Sequence, residues 1–481
     1  FVYTMLLSIK ERKSTTYRTF MHEADLIENF IEIILEKHVL TTRNDPQYKD
    51  LLLFVGFVAA KMQESDLFSI AETEMTKAVS DFNNLITKNF SYNGYVAPLV
   101  KCGILRNTEG KYTFSQVCFF NYALAHWLFK KNIDYQSIGK KIDLLRFDKT
   151  FEYISAIKKN DFGLLDYLKT LVECAWNELL KDEQLSQLKS IDSEIDGCVS
   201  HDFLDLIKDD SLEDDIGDHT RTQQYVDDEL DEISPLRTDA VCEIEKRGVG
   251  DIIPSVAFNE TLSLYARAFR AAEHLMDADL SMRHFSSIFE FYMRSAALNI
   301  RVFDQKLRPV AISKISKILD YDKLSEPNKV VANAQIHALL NFIISAIPNW
   351  SVAMMNCDFF NQRQFERMEL YRKTCGSNLE KLLLTYSLCE LEGVDVVQEL
   401  KKQGYSKPYE SSSLVMKVIE LINFNFSISA AEKKELDGFV RKILKDRKNR
   451  QLLTNLSIIS NKILDSGEMN SMAFDVITRG G

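Results

Sequence analysis

Gly103 and the pair Gly110-Lys111 are the first residues to test for chemistry, because a glycine-rich loop that ends in lysine can cradle a phosphate. Six residues separate the two glycines, more than such a loop allows, and Tyr112 stands where Ser or Thr would offer Mg²⁺ a hydroxyl. The segment also reads as a hairpin, not as a turn between a strand and a helix. Among the 8 histidines only His274/His284 and His201/His219 come loosely near each other in sequence, and neither HxxxH nor HExxH occurs. Each histidine therefore reads as a surface or satisfied core residue, and His337, inside NAQIHALLNFII, as a helix residue beside a core. No GxSxG is present and no cysteine sits in a catalytic context. Twelve Asp or Glu crowd the stretch from Asp205 to Glu232 against Lys208 and Arg221. Paired catalytic acids need a defined separation inside a pocket, and a run of this composition reads as a solvated loop instead. The densest positive group is Arg441, Lys442, Lys445, Arg447, Lys448 and Arg450. It reads first as the polar face of a helix and second as a nucleic-acid or anion patch. Catalytic, cofactor and metal sites are thus all expected to be absent from this chain.

The elements that would position these residues follow from periodicity. Leu26, Ile27, Phe30, Ile31, Ile34 and Leu35 make one apolar helical face. Asp45-Pro46 breaks the chain, and residues 48–64 read as a buried helix. Ser69 to Lys88 reads as another helix, and Tyr92 to Cys102 as a third. That third helix carries Tyr95, Val96, Leu99 and Val100 on one side, with Gly103 as its C-cap; Pro98 inside it allows a start later than Tyr92. Ile104-Leu105-Arg106, the turn Asn107-Thr108-Glu109-Gly110 and Lys111-Tyr112-Thr113-Phe114 make a hairpin. Phe119 to Lys131 is helical again, and helices continue to about Lys189. From Asn259 onward apolar faces recur at Leu262/Tyr265/Ala266/Phe269, Phe285/Ile288/Phe289/Tyr292, Ala338/Leu339/Phe342/Ile343, Leu379/Leu382/Leu383/Tyr386, Val415/Val418/Ile419/Ile422 and Leu452/Leu453/Leu456/Ile459. Breaks are expected at Pro309, Pro327, Pro348, Gly376, Gly393, Gly404 and Pro408. Helix pairs of this length stack into solenoids, since one pair cannot bury its apolar face alone. No clean TPR period is present.

Composition limits the function classes. A chain of 481 residues exceeds one core and implies roughly two to four domains. With 46% apolar and 27% charged residues it is ordinarily globular, and only 17 Gly and 8 Pro favour long helices over tightly turned sheet. A net charge of -11 and a pI near 5.4 oppose non-specific nucleic-acid binding. The helix 92–102, which would read DNA in a winged helix, carries one basic residue, Lys101. The eight cysteines lack any CxxC and read as reduced thiols, which with no signal peptide points to the cytoplasm. The longest apolar run, Leu51–Ala60, stops at Lys61 and is too short to span a bilayer. A start at Phe1 and an end at Arg479-Gly480-Gly481 suggest a fragment of a longer protein.

Three stretches carry a resemblance: Cys102-Gly103-Ile104-Leu105, Glu109-Gly110-Lys111-Tyr112-Thr113-Phe114 and Phe119-Phe120-Asn121-Tyr122-Ala123-Leu124-Ala125. Their wording resembles the end of the winged helix that follows the ATPase core in signal-transducing NTPases of the NACHT/STAND type. The opening FVYTMLLSIKERKSTTYRTFMHEADLIENFIEIILEKH looks like that family's segment after the last ATPase strand. The resemblance covers about 130 of the 481 residues. It departs from the family at Gln116, where His is common and in some members touches the nucleotide phosphate, and at Asn121, where Glu is common.

What the resemblance implies is a mainly α chain. Residues 1–66 would be a helical segment after an ATPase core, 67–132 a winged helix, 133–191 a helical extension and 192–250 an acidic linker or loop. Residues 251–481 would be a degenerate TPR- or HEAT-like α-solenoid. ATP, ADP and Mg would belong to the upstream ATPase domain. The winged helix would latch that domain, the repeats would sense a protein ligand, and the intact protein would oligomerise, as in bacterial antiphage defence. Two other readings stand beside this one: a non-enzymatic helical scaffold for protein partners, and a winged-helix nucleic-acid-binding regulator using residues 441–450.

Overall fold

The computed structural model describes residues 23–38, 46–65, 67–131, 147–157, 162–181, 185, 188–198, 254–318, 325–360, 364–391, 394–402, 409–410, 413–414, 417–418, 421 and 429–445. The chain is mainly helical and divides into two units, Phe1–Ala175 with Ser234–His284, and Trp176–Ile233 with Phe285–Gly481. The acidic stretch from Asp205 to Glu232 and the face from Leu452 to Ile459 lie outside the described residues.

The first unit begins with α1 (Glu23–His38) and α2 (Tyr48–Glu64). In α1, Ile27, Ile31 and Leu35 are buried, while Leu26, Phe30 and Ile34 are half-buried. The α2 run from Leu51 to Ala60 is buried apart from the half-buried Leu53. Asp50 anchors the start of α2 by accepting the Gln47 backbone N–H at 3.2 Å. Next come β1 (Ser69–Ala71), α3 (Glu72–Ile86) and α4 (Tyr92–Lys101). The expected helix from Ser69 is thus corrected at its start. Phe68 and Ile70 alternate inward, and Ser69–Ala71 pairs antiparallel with Lys111–Thr113.

Helix α4 starts at Tyr92 although Pro98 lies inside it, because the Ser91 hydroxyl caps it by accepting the Gly94 N–H at 3.1 Å. It ends as its glycine predicts. Gly103 has φ +74, its N–H reaches the Val100 carbonyl, and the Ile104 N–H reaches the Leu99 carbonyl, with Ile104 and Leu99 both buried. Then β2 (Leu105–Thr108) and β3 (Lys111–Phe114) form the expected hairpin. Its turn is tighter than the four residues expected. Only Glu109 and Gly110 connect the strands, both at positive φ (52° and 79°), the type I′ arrangement that matches strand twist. The sheet order is β1-β3-β2, all antiparallel.

Helix α5 (Val117–Lys130) packs against α2 and against α6 (Asp148–Ile157). Phe54, Phe57, Phe82, Tyr95 and Trp127 form the aromatic centre of this unit, with Phe54 and Tyr95 rings 4.5 Å apart. Gly56 lets α2 and α5 approach closely: a Cβ there would lie 2.8 Å from the Ala123 carbonyl oxygen. Helix α7 (Gly163–Leu179) follows, then α8 (Ile191–Cys198), α9 (Pro254–Ala272) and α10 (Ala278–Val302). Arg267 of α9 pairs with Asp148 at 2.7 Å and with the buried Glu152 at 3.3 Å, fastening α9 to α6.

In the second unit α8 is ordered helix as far as Cys198, so the expected acidic linker begins inside a helix whose Glu194 is buried against Arg301 at 2.6 Å. A π-turn, Phe303–Leu307, joins α10 to α11 (Arg308–Ile318), so Pro309 falls in the first turn of α11, where a proline's missing N–H is harmless. Arg308 ties three segments together through Asp304, the Cys198 carbonyl at 3.2 Å and the Asn341 side chain at 2.5 Å. Helix α12 (Glu326–Asp358) runs for 33 residues through Pro348, which was expected to break it. Burial of Ile344, Ala346, Ile347 and Val352 on both sides of the proline holds the helix together. Ile336, Leu340 and Ile344 are buried and Ile343 from the expected face is half-buried, while the side chains of Ala338, Leu339 and Phe342 lie outside the described residues. Short helices complete the unit: α13 (Phe365–Thr374), α14 (Asn378–Leu388), α15 (Val396–Lys401) and α16 (Ala430–Lys445). Leu379, Leu382, Leu383 and Tyr386 are all buried, and Tyr386, Ser413 and Asn349 share a buried hydrogen-bonded chain.

Candidate functional site

The sheet and α4 present one face whose chemistry can be read. The outward positions of α4 are Asn93, Ala97 and Lys101, while Tyr95, Val96 and Leu99 turn into the core. A single cation on α4 offers little to a phosphate backbone. At the base of the hairpin the Tyr92 hydroxyl donates to the Tyr112 hydroxyl at 2.9 Å, and burial holds the Tyr92 phenol above its ordinary range, with Tyr112 and Glu72 adding to the effect. The Glu72 N–H donates to the Gly110 carbonyl at 2.9 Å, so α3 is tied directly to the hairpin turn.

The two departures from the resemblance have defined places. Gln116 is half-buried at the N-cap of α5, and its carbonyl accepts the N–H groups of Phe119 and Phe120. Asn121 is buried and accepts the Thr150 hydroxyl at 2.9 Å, so this side chain binds α5 to α6 and does not reach solvent.

Arg441, Lys442 and Lys445 lie on α16, and Lys442 is exposed. Arg447, Lys448 and Arg450 lie outside the described residues, as do His201 and His219. His337 is an exposed residue of α12, next to Ile336 and one turn from Leu340 of a buried cluster, as expected of a helix residue beside a core. Among the described residues no group of three or more His, Cys, Asp or Glu is placed to hold a metal ion, and no helix is long and apolar enough to cross a membrane. The Cys102 and Cys118 thiols are pushed up by burial, to about 11 and about 12, which keeps them protonated and poor nucleophiles at neutral pH.

Two features escaped periodicity. On α12, Trp350 (58% exposed) and Met354 (47%) stand one turn apart with exposed Ala353 between them, a small exposed apolar face. In the first unit, Tyr265 and His284 form a buried polar pair at 2.6 Å, joined across 19 residues from two helices, a separation no short motif reports. Comparison of the chain with protein families, with curated proteins and with solved structures finds no match.

Proposed function

We propose that this chain is the regulatory and ligand-sensing part of a NACHT/STAND-type NTPase. Residues 67–132 act as a winged-helix latch, and the helices of residues 251–481 act as a degenerate repeat that recognises a protein ligand. The observation that carries the reading is the order α2-β1-α3-α4-β2-β3-α5 with sheet order β1-β3-β2, which is the order of a winged helix, combined with the wording of residues 102–125. In this reading the chain is not itself an enzyme. ATP, ADP and Mg bind an upstream domain, and the latch holds that domain closed until ligand binding favours the open state through its differential affinity. Oligomerisation and an antiviral defence role would follow from the intact protein, in the cytoplasm. The test is the coding sequence immediately before Phe1. A GxxxxGK[ST] loop followed by an acidic strand end supports the reading, and an unrelated domain or a nearby start codon overturns it.

The exposed face at Trp350 and Met354 favours a second reading, a helical scaffold that binds protein without any NTPase. It predicts no ATPase upstream and a partner whose binding is lost in Trp350→Lys. The nucleic-acid regulator draws no comparable support, because the face of α4 offers Lys101 as its one basic residue.

A further inference from the structure

His284 is 3% exposed, and its Nδ1 lies 2.6 Å from the hydroxyl of the fully buried Tyr265. Burial holds the Tyr265 phenol above its ordinary range, so it keeps its proton and has it to donate to an unprotonated Nδ1. A neutral imidazole has one N–H, which this arrangement places on Nε2. That Nε2 is buried without a hydrogen-bond partner, and the nearest carboxylate oxygen across from it is Asp166 Oδ1 at 3.9 Å. A buried donor without an acceptor is costly, and 3.9 Å is beyond hydrogen-bond reach. The Asp166 side chain is 72% exposed on α7 and therefore free of packing that would prevent its approach.

We infer that Tyr265, His284 and Asp166 form a proton-operated latch that fastens α7 onto α9 and α10. The closing step takes one proton from solvent onto Nδ1. The resulting imidazolium donates Nδ1–H to the Tyr265 oxygen and Nε2–H to the Asp166 carboxylate, which closes the gap; the Tyr265 O–H gives up its acceptor, a cost that adds to burial in opposing the charged ring. The charge gained on the ring is balanced by the carboxylate. Burial opposes the charged ring, Asp166 favours it, and Lys169 on α7 and Arg283 on α10 oppose it further; Asp166 and then Glu173 on α7 add to burial in holding the proton on the Tyr265 hydroxyl. The balance lies below the ordinary histidine value, so the latch is open at neutral pH and closes only below the ordinary histidine range.

The test is a pH titration of the whole chain by ¹⁵N NMR of the histidine rings, with the His284 signal assigned by its loss in His284→Gln. The expected result is an Nε2–H tautomer above pH 7 and a midpoint that falls by about one pH unit in Asp166→Asn. Amide protection along α7, corrected for intrinsic exchange, should fall through the midpoint, because protonation of a lowered histidine favours the opened chain, and should fall further in Asp166→Asn, which lacks the closing ion pair. An Nδ1–H tautomer in the wild type, an unmoved midpoint in Asp166→Asn or equal protection losses in the two chains would each overturn the latch. The tautomer is read in the unaltered chain and does not depend on any variant folding.

Discussion

The side-chain carbonyl of Asn121 on α5 accepts a hydrogen bond of 2.9 Å from the Thr150 hydroxyl on α6, and both residues are buried. Replacing Asn121 with Leu leaves that hydroxyl without an acceptor inside the fold. The expected cost is about 1–3 kcal/mol, the penalty for a buried polar group left unmatched. The double variant Asn121→Leu/Thr150→Val removes both partners and should recover much of the loss. Urea midpoints for the four members of this cycle measure the coupling, and strictly additive losses would show that the bond is not energetically real.

Gly56 sets the distance between α2 and α5. A Cβ at this position meets the Ala123 carbonyl oxygen at 2.8 Å and the Trp127 Cβ at 3.0 Å. Neither atom belongs to a flexible side-chain end, so the helices must move apart and the aromatic centre around Phe57 and Trp127 must repack. Gly56→Ala should destabilise the chain by about 1–3 kcal/mol, although alanine is the better helix former. Thermal unfolding of the pair decides: an equal or higher midpoint in the variant would contradict the close packing.

Helical character and the hairpin were legible because their signals are local. Leu51–Ala60 is apolar in almost every position and is buried in almost every position, and Gly110 marks a turn that only a few residue types can form. β1 was not legible. It is three residues long, and its pairing partner Lys111–Thr113 lies some forty positions away, beyond any window of periodicity. The continuation of α12 through Pro348 was not legible for a different reason: a proline marks a break locally, whereas the burial of Ile344, Ile347 and Val352 that carries the helix past it is tertiary. Trp350 and Met354 likewise look like core residues by type alone. The same limit applies to Tyr265, His284 and Asp166, which come from three helices and share no spacing rule.

Thr87 caps the C-terminus of α3 at φ 55, a left-handed conformation that a β-branched residue adopts at a cost of about 1–2 kcal/mol. Its side chain is exposed, so substitution disturbs no packing. Glycine removes the strain and loses part of the gain to unfolded-chain entropy. Thr87→Gly should therefore stabilise the chain by up to about 1 kcal/mol, read as a raised urea midpoint with an unchanged slope. A lowered midpoint would mean that the left-handed backbone at this position is wrong.

The pH dependence of stability has a defined sign at His126. Burial, with a smaller contribution from Lys130 one turn away, holds this imidazole down to about 4, and its Nδ1 is buried without a hydrogen-bond partner. In the unfolded chain the same ring takes up a proton near pH 6.5. Between those two values the unfolded state binds more protons, so stability rises with pH. The contribution is complete above about pH 6.5 and is lost as the pH falls toward about 4, at up to about 1.4 kcal/mol per pH unit. His284, also lowered by burial, acts in the same direction, so a single pH profile does not isolate His126. The difference between wild type and His126→Phe does, because the variant keeps an aromatic ring and cannot titrate. The wild type should lose more stability than His126→Phe between pH 7 and pH 5 in denaturant titrations, and parallel losses would show that the His126 ring is open to water.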